Sequence, residues 1–310
     1  MNTRNAISTC LISILFIFHC VAQPQARRHS FSYIQQQFAK PGKEFGSAPL
    51  WVWNTAVTKT IIDSMLSGFK EQSFGGVFVH PRPGLVTPYL GTEWFSLWQY
   101  AMQKAKQLGL DIWIYDENSY PSGFAGGHVP AAMPSSYNQA QMLTMQKVDL
   151  LPDSSQYFIA LETKTDVSYK IVLDKNNTAP GNYIVFKKEY YHKSAWYGGF
   201  SYVDLMVPGV TEKFLDLTMR NGYEPVVGSE FGKTVKGIFS DEPNIESSGN
   251  KSIRWTPLLF PAFEKKWGYL LQENLPSLFE ETGNWKKIRH NYYSVLLDLF
   301  IEYWSKPMNK

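Results

Sequence analysis

Two acidic dipeptides stand out among the residues able to do chemistry, Asp116–Glu117 and Asp241–Glu242, each placed directly after an apolar run. A pair of carboxyl groups is the equipment of glycosidic-bond hydrolysis, in which one acid donates a proton while one carboxylate assists water. Crowding carboxylates in a cleft raises some of their pKa values, which suits one of them to general-acid work. Adjacent residues on a strand point to opposite faces, so each dipeptide should send one carboxylate inward and the other into the surrounding loop. Other polar groups close comparable runs: Trp53 and Asn54, then His80 and Arg82, then Asp204 within residues 202–206. Trp53, at the expected mouth, could stack on a sugar face. The competing reading of an Asp–Glu pair is a helix N-cap followed by a first-turn acid. The glycine-rich residues 123–127 lack both the G-x-G-x-x-G spacing and the P-loop lysine, and read as a tight loop beside the cleft.

For these groups to meet, neighbouring strands must deliver them to one edge. Apolar runs at 50–53, 76–79 and 111–115 alternate with two helical patterns. The first has Ile61, Ile62, Met65, Leu66 and Phe69 behind Thr58 as N-cap; the second has Trp94, Trp98, Ala101, Ala105 and Leu108, stopped by Gly109. This βαβαβ rhythm predicts parallel strands with crossover helices, whose sites form at the C-terminal strand ends. Residues 130–200 break the rhythm with alternating stretches at 157–163, 167–173 and 183–188, with turns at Asn176–Asn177 and Pro180–Gly181, as expected of a small antiparallel β insertion. A strand at 202–206, a helix at 211–219, a strand at 235–239 and helices at 259–267 and 285–304 follow. In the last helix Trp285, Ile288, Tyr292, Val295, Leu296 and Leu299 share a face. Five parallel strands fall short of the eight of a closed barrel. The expected fold is therefore α/β, of (β/α)8 TIM-barrel type but incomplete, as in the front part of a longer protein. The expected organisation is a signal peptide at 1–22, a first barrel part at 23–129, the insertion at 130–200 and a continuation at 201–310.

The chain has 310 residues, 44% of them hydrophobic and 18% charged, enough apolar material to exclude general disorder. With 30 basic against 27 acidic residues, nothing in the charge points to nucleic acid. Aromatic residues reach 15%, which suits flat, partly apolar ligands such as sugars. Arg4, the apolar residues 11–18 and small residues near Ala22 form an export signal too short to span a bilayer. The mature chain is thus expected in the periplasm or outside the cell, without an integral membrane segment. Cys10 and Cys20 fall in the removed part, leaving no disulfide, thiolate nucleophile or Cys-ligated zinc.

Taken together, Trp51–Val52–Trp53–Asn54, Gly75–Gly76–Val77–Phe78–Val79–His80–Pro81–Arg82, Tyr115–Asp116–Glu117 with Pro121–Ser122–Gly123, Tyr202–Val203–Asp204–Leu205, Phe239–Ser240–Asp241–Glu242–Pro243 and Trp255–Thr256–Pro257 resemble glycoside hydrolase family 106. The resemblance implies an exported, inverting, calcium-assisted α-L-rhamnosidase-like enzyme with a (β/α)8 catalytic domain and a carbohydrate substrate. It implies Glu242, beside Asp241, as general acid and a general base on a later strand; the strand-end positions themselves offer Trp53, Asn54, His80, Arg82, Asp116, Glu117 and Asp204 as substrate-binding residues. Ca2+ rests on the resemblance alone; no EF-hand-like spacing occurs, and no ligands are assigned. Where the family pattern after Leu217 reads Thr-His-Glu, this chain has Thr218–Met219–Arg220, a departure that bears on rhamnose specificity. A barrel aldolase or isomerase would want a strand-end lysine or a two-histidine metal site, whereas Lys236 comes too early and His80 stands alone. A non-catalytic sugar-binding fragment is the other alternative.

Overall fold

The structure, a computed structural model, describes residues 30–165, 167–174, 179–247 and 251–310; the expected signal segment 1–22 and the Asn176–Asn177 turn lie outside them. The chain divides into two units, Met1–Gly42 and Lys43–Lys310. In the first, helix α1 (Phe31–Ala39) is capped by Ser30, whose hydroxyl accepts the Tyr33 N–H at 3.2 Å.

The second unit opens with three strands joined by helices: β1 (Leu50–Trp53), α2 (Lys59–Glu71), β2 (Gly76–Pro81), α3 (Thr92–Leu108) and β3 (Asp111–Tyr115). The Thr58 hydroxyl caps α2 through the Ile61 N–H, and Gly109 ends α3 in the left-handed conformation at φ 71°. After the short helix α4 (His128–Ala132) come four antiparallel strands, β4 (Met142–Val148), β5 (Ile159–Thr165), β6 (Ser168–Ile171) and β7 (Tyr183–Glu189). Helix α5 (Val210–Leu215) continues through a π-helical stretch into α6 (Glu224–Val227), and β8 (Val235–Phe239) returns to the parallel sheet. Strand β9 (Ser252–Arg254), α7 (Leu259–Trp267), α8 (Pro276–Phe279), α9 (Trp285–Phe300) and α10 (Lys306–Met308) complete the order.

The parallel sheet runs β1–β2–β3–β8, and the antiparallel one β6–β5–β7–β4–β9. Strands β2 and β3 pair from Gly76 opposite Asp111 to Val79 opposite Ile114, and Tyr115 stands opposite Phe239 of β8. This register brings the C-terminal ends of β2, β3 and β8 side by side. One sheet face, with Trp51, Trp53, Val77, Val79, Ile112, Ile114 and Val235, packs on Ile62 and Leu66 of α2 and Trp94, Trp98 and Ala101 of α3. The antiparallel sheet packs Leu143, Leu161, Ile184 and Phe186 on α7 and α9.

Three expectations need correction. Among the described residues the parallel sheet has four strands where five were expected; it is open, with β1 and β8 as its edges. Residues 202–206 form no strand although Tyr202, Val203, Leu205 and Met206 are buried. The Asp204 N–H donates to the Ser136 carbonyl, and its carboxylate accepts the Met206 N–H and pairs with Arg254, so local turns replace a ladder. The antiparallel sheet, finally, reaches beyond residues 130–200, because β9 pairs with β4 from Met142 opposite Arg254.

Candidate functional site

At the C-terminal ends of β2, β3 and β8, a hydrogen-bonded cluster is assembled from three strands. The His80 ring stacks on the Tyr115 ring at 3.7 Å between centroids and 21° between planes. The Tyr115 hydroxyl donates to Asp241 Oδ2. Ser122 ties the two loops together: its hydroxyl donates to Asp116 Oδ1 at 2.6 Å, accepts the Asp241 N–H at 2.8 Å, and its own N–H donates to the Asp241 carbonyl at 2.7 Å. His80 is 1% exposed, and neither ring nitrogen has a hydrogen-bond partner among the described residues. Asp116 Oδ2 is likewise buried and unpartnered. Idle atoms of this kind, gathered at the strand ends, are free to hydrogen-bond to something polar.

The electrostatics follow from burial. Desolvation, aided by the Arg82 guanidinium, pushes the His80 imidazole down to about 4, against the pull of Asp241. Desolvation pushes the Asp116 carboxyl up to about 7, the Ser122 and Ser240 hydroxyls opposing it and the Asp241 charge adding to it. Burial and the bond to Asp241 raise the Tyr115 phenol, which therefore keeps its proton and serves as a donor. At neutral pH the cluster thus presents a neutral imidazole, a neutral phenol and a carboxyl poised near its titration point.

Glu117 lies elsewhere in function. It is fully buried, and its two oxygens accept the backbone N–H groups of Asn118, Gly123, Phe124, Ala125 and Gly126. Burial raises its pKa against the pull of these donors. The loop can aim its amides inward because Gly123, Ala125, Gly126 and Gly127 all have positive φ. The carboxylate is an organiser of the 118–127 loop and faces no open space. Trp53 is 1% exposed and packs edge-on between Trp51 at 5.2 Å and Trp94 at 5.3 Å; strand alternation turns it into the helix-side core, away from any sugar. Asn54 is exposed after β1, its carbonyl covered by Gly84, whose φ of 103° lets the backbone pass. Asp204 is 2% exposed and bound to the equally buried Arg254 at 2.7 Å, well inside the protein. Glu242 is exposed beside Asp241 and has φ 45°, a left-handed conformation costing on the order of 1–3 kcal/mol for a non-glycine residue. With Pro243, Asn244, Ile245 and Glu246 it lines a hollow of about 320 Å³. Arg82 is half-buried at the rim, its guanidinium 4.8 Å from the Tyr120 ring centroid.

The structure thus gathers His80, Arg82, Asp116 and Asp241 with Glu242 at their edge, and draws Trp53, Glu117 and Asp204 into structural roles. Tyr115 and Ser122 are site residues that the sequence reading did not select; Tyr115 could have been found from the two-residue alternation that places it with Trp113 opposite Ile112 and Ile114. The donors do not fit a calcium ion, which takes six to eight oxygens. Among the described residues no group of three His, Cys, Asp or Glu side chains is placed to hold a metal ion, and both Glu117 oxygens and Asp204 Oδ1 are already engaged. No described helix is long and apolar enough to cross a membrane.

No family model matches the chain, and no curated protein matches it in sequence. Among solved structures it is similar to the rhamnosidase from Novosphingobium sp. PP1Y, with a TM-score of 0.53 at 12% identity over 89% of this chain and 46% of that one. The likeness is one of fold, and this chain spans less than half the length of that enzyme.

Proposed function

We propose that the strand-end cluster is a sugar-binding site of a glycoside hydrolase, acting on α-L-rhamnosyl or closely related linkages in the manner of family 106. The observation that carries this reading is the buried, unpartnered His80 imidazole stacked on Tyr115, whose hydroxyl holds Asp241 next to Glu242. Neutral imidazole nitrogens and a carboxyl oxygen can accept and donate hydrogen bonds to sugar hydroxyls without the cost of burying a bare charge. The likeness in fold to a rhamnosidase supports the choice of sugar.

In this reading Asp241, oriented by Tyr115 and Ser122, holds the sugar, and Glu242 protonates the glycosidic oxygen. The general base is assigned to no residue described above, and no step is routed through calcium. Export of the mature chain and a plant-type glycan as substrate belong to the same proposal. Glu242→Gln keeps the shape and removes the proton. It should lower turnover of an unactivated α-L-rhamnoside by about 10²–10⁴-fold while leaving binding intact. Turnover equal to wild type would refute the assignment. The exposure of Glu242 favours one second reading, a protein that binds the sugar without cleaving it. Binding without any turnover in wild type would select that alternative.

A further inference from the structure

Next to the cluster stands a second feature that the catalytic reading leaves unused. Tyr120 and Trp196 meet edge to face at 5.3 Å, and the Trp196 indole N–H donates to the Tyr120 carbonyl at 2.5 Å. The Arg82 guanidinium lies 4.8 Å from the Tyr120 ring centroid and 5.9 Å from that of Trp196. Both rings remain about one-third exposed, 36% and 37%, although each is large and apolar. Among the described residues Arg82 makes no ion pair, and its guanidinium lies over the two rings.

The position of Trp196 is built in. The turn that bears it, Ala195–Tyr197, ends at Gly198 with φ 63°. The loop is closed at its base by Ser194 N–H to the Phe200 carbonyl and Gly199 N–H to the Ser194 carbonyl. Gly198 presses on the glycine-rich loop so closely that a Cβ there would lie 2.4 Å from the Gly126 carbonyl oxygen. Tyr197 packs edge-on to Phe124 at 5.3 Å. Glu117 fixes the one loop, that loop seats the other, and the result is an indole presented beside Arg82, two residues beyond His80.

We infer that Trp196 and Tyr120 form a stacking platform for a second sugar ring, adjacent to the one held at the strand ends, with Arg82 reading its hydroxyl groups. Resting on the glycan reading above, the inference extends it from a monosaccharide pocket to recognition of at least two units. Aromatic rings take the apolar faces of sugars, and a guanidinium fork supplies donors to paired oxygens. The unpartnered His80 nitrogens next door are the independent sign that a ligand belongs here.

The test uses two probes: α-L-rhamnosyl fluoride, which carries one ring, and a rhamnosyl-glucose disaccharide, which carries two. Trp196→Ala in the full chain should weaken calorimetric binding of the disaccharide about tenfold, the order of one lost aromatic contact. Turnover of the fluoride should stay within twofold of wild type, and Trp196→Phe should recover most of the lost affinity. If wild type turns over neither probe and Trp196→Ala still weakens disaccharide binding, the platform stands and the hydrolase reading falls. Equal disaccharide affinity in wild type and Trp196→Ala overturns the platform, as does a Trp196→Phe protein as weak as the alanine variant.

Discussion

His80 and Asp116 share one cluster and depart from their ordinary pKa values in opposite directions, so their contributions to stability run against each other over one pH window, about 4 to 7. The His80 imidazole titrates near 6.5 when unfolded and about 4 when folded; the stability tied to its neutral form is present above 6.5 and lost as pH falls through 4. The Asp116 carboxyl titrates near 3.8 when unfolded and about 7 when folded; its contribution is complete below 3.8 and lost as pH rises through 7. Between about pH 4 and 7, His80→Gln should therefore tilt a urea-midpoint profile downward with rising pH relative to wild type, and Asp116→Asn should tilt it upward. Profiles parallel to wild type in both variants would mean that neither group is desolvated as described. A ligand that supplies partners to the idle His80 nitrogens and Asp116 Oδ2 should relieve part of the strain.

At the scale of elements, two loops carry the site, and a glycine decides their fit. Gly198→Ala places a methyl group 2.4 Å from the Gly126 oxygen at a φ of 63°. It should destabilise the protein by about 1–3 kcal/mol in chemical denaturation and open the 118–127 loop to proteolysis, while an alanine at Gly68 of α2, helical and with open space around it, should do neither. Elements of this kind were unevenly legible in the sequence. Apolar runs and caps carried β1, β2, β3 and β8, with Thr58 and Gly109 at the expected ends of α2 and α3. The same cue failed at 202–206, because an apolar run records burial and not ladder pairing, and the partner that holds Asp204 is Arg254, fifty positions along. Glu117 beside Asp116 was legible as a pair of acids pointing opposite ways. That five amides would absorb one of them depends on the positive φ values of a loop that the residue types only permit. Trp53 shows the complementary limit: its place at a strand end was readable, while its face followed from the register that puts Trp51 opposite Val79. Trp196 carried no signal, since its place beside Arg82 arises only where two loops cross.

Over the whole Lys43–Lys310 unit, the parallel sheet buries one face under α2 and α3 and leaves much of the other uncovered. Leu50, Val52 and Phe239 are 46%, 43% and 37% exposed, while Phe78 stacks on Trp113 and Tyr115 on Phe239. An aromatic floor leading to a polar rim of His80, Arg82, Asp116 and Asp241 is what a ligand with apolar faces and hydroxyl edges requires. The measurement that bears most directly on this account is diffraction from crystals of the full chain soaked in L-rhamnose. The account predicts sugar density within hydrogen-bond distance of His80 and Asp241, with a hydroxyl meeting an imidazole nitrogen. Sugar bound only on the antiparallel sheet, with His80 still without a partner, would contradict it.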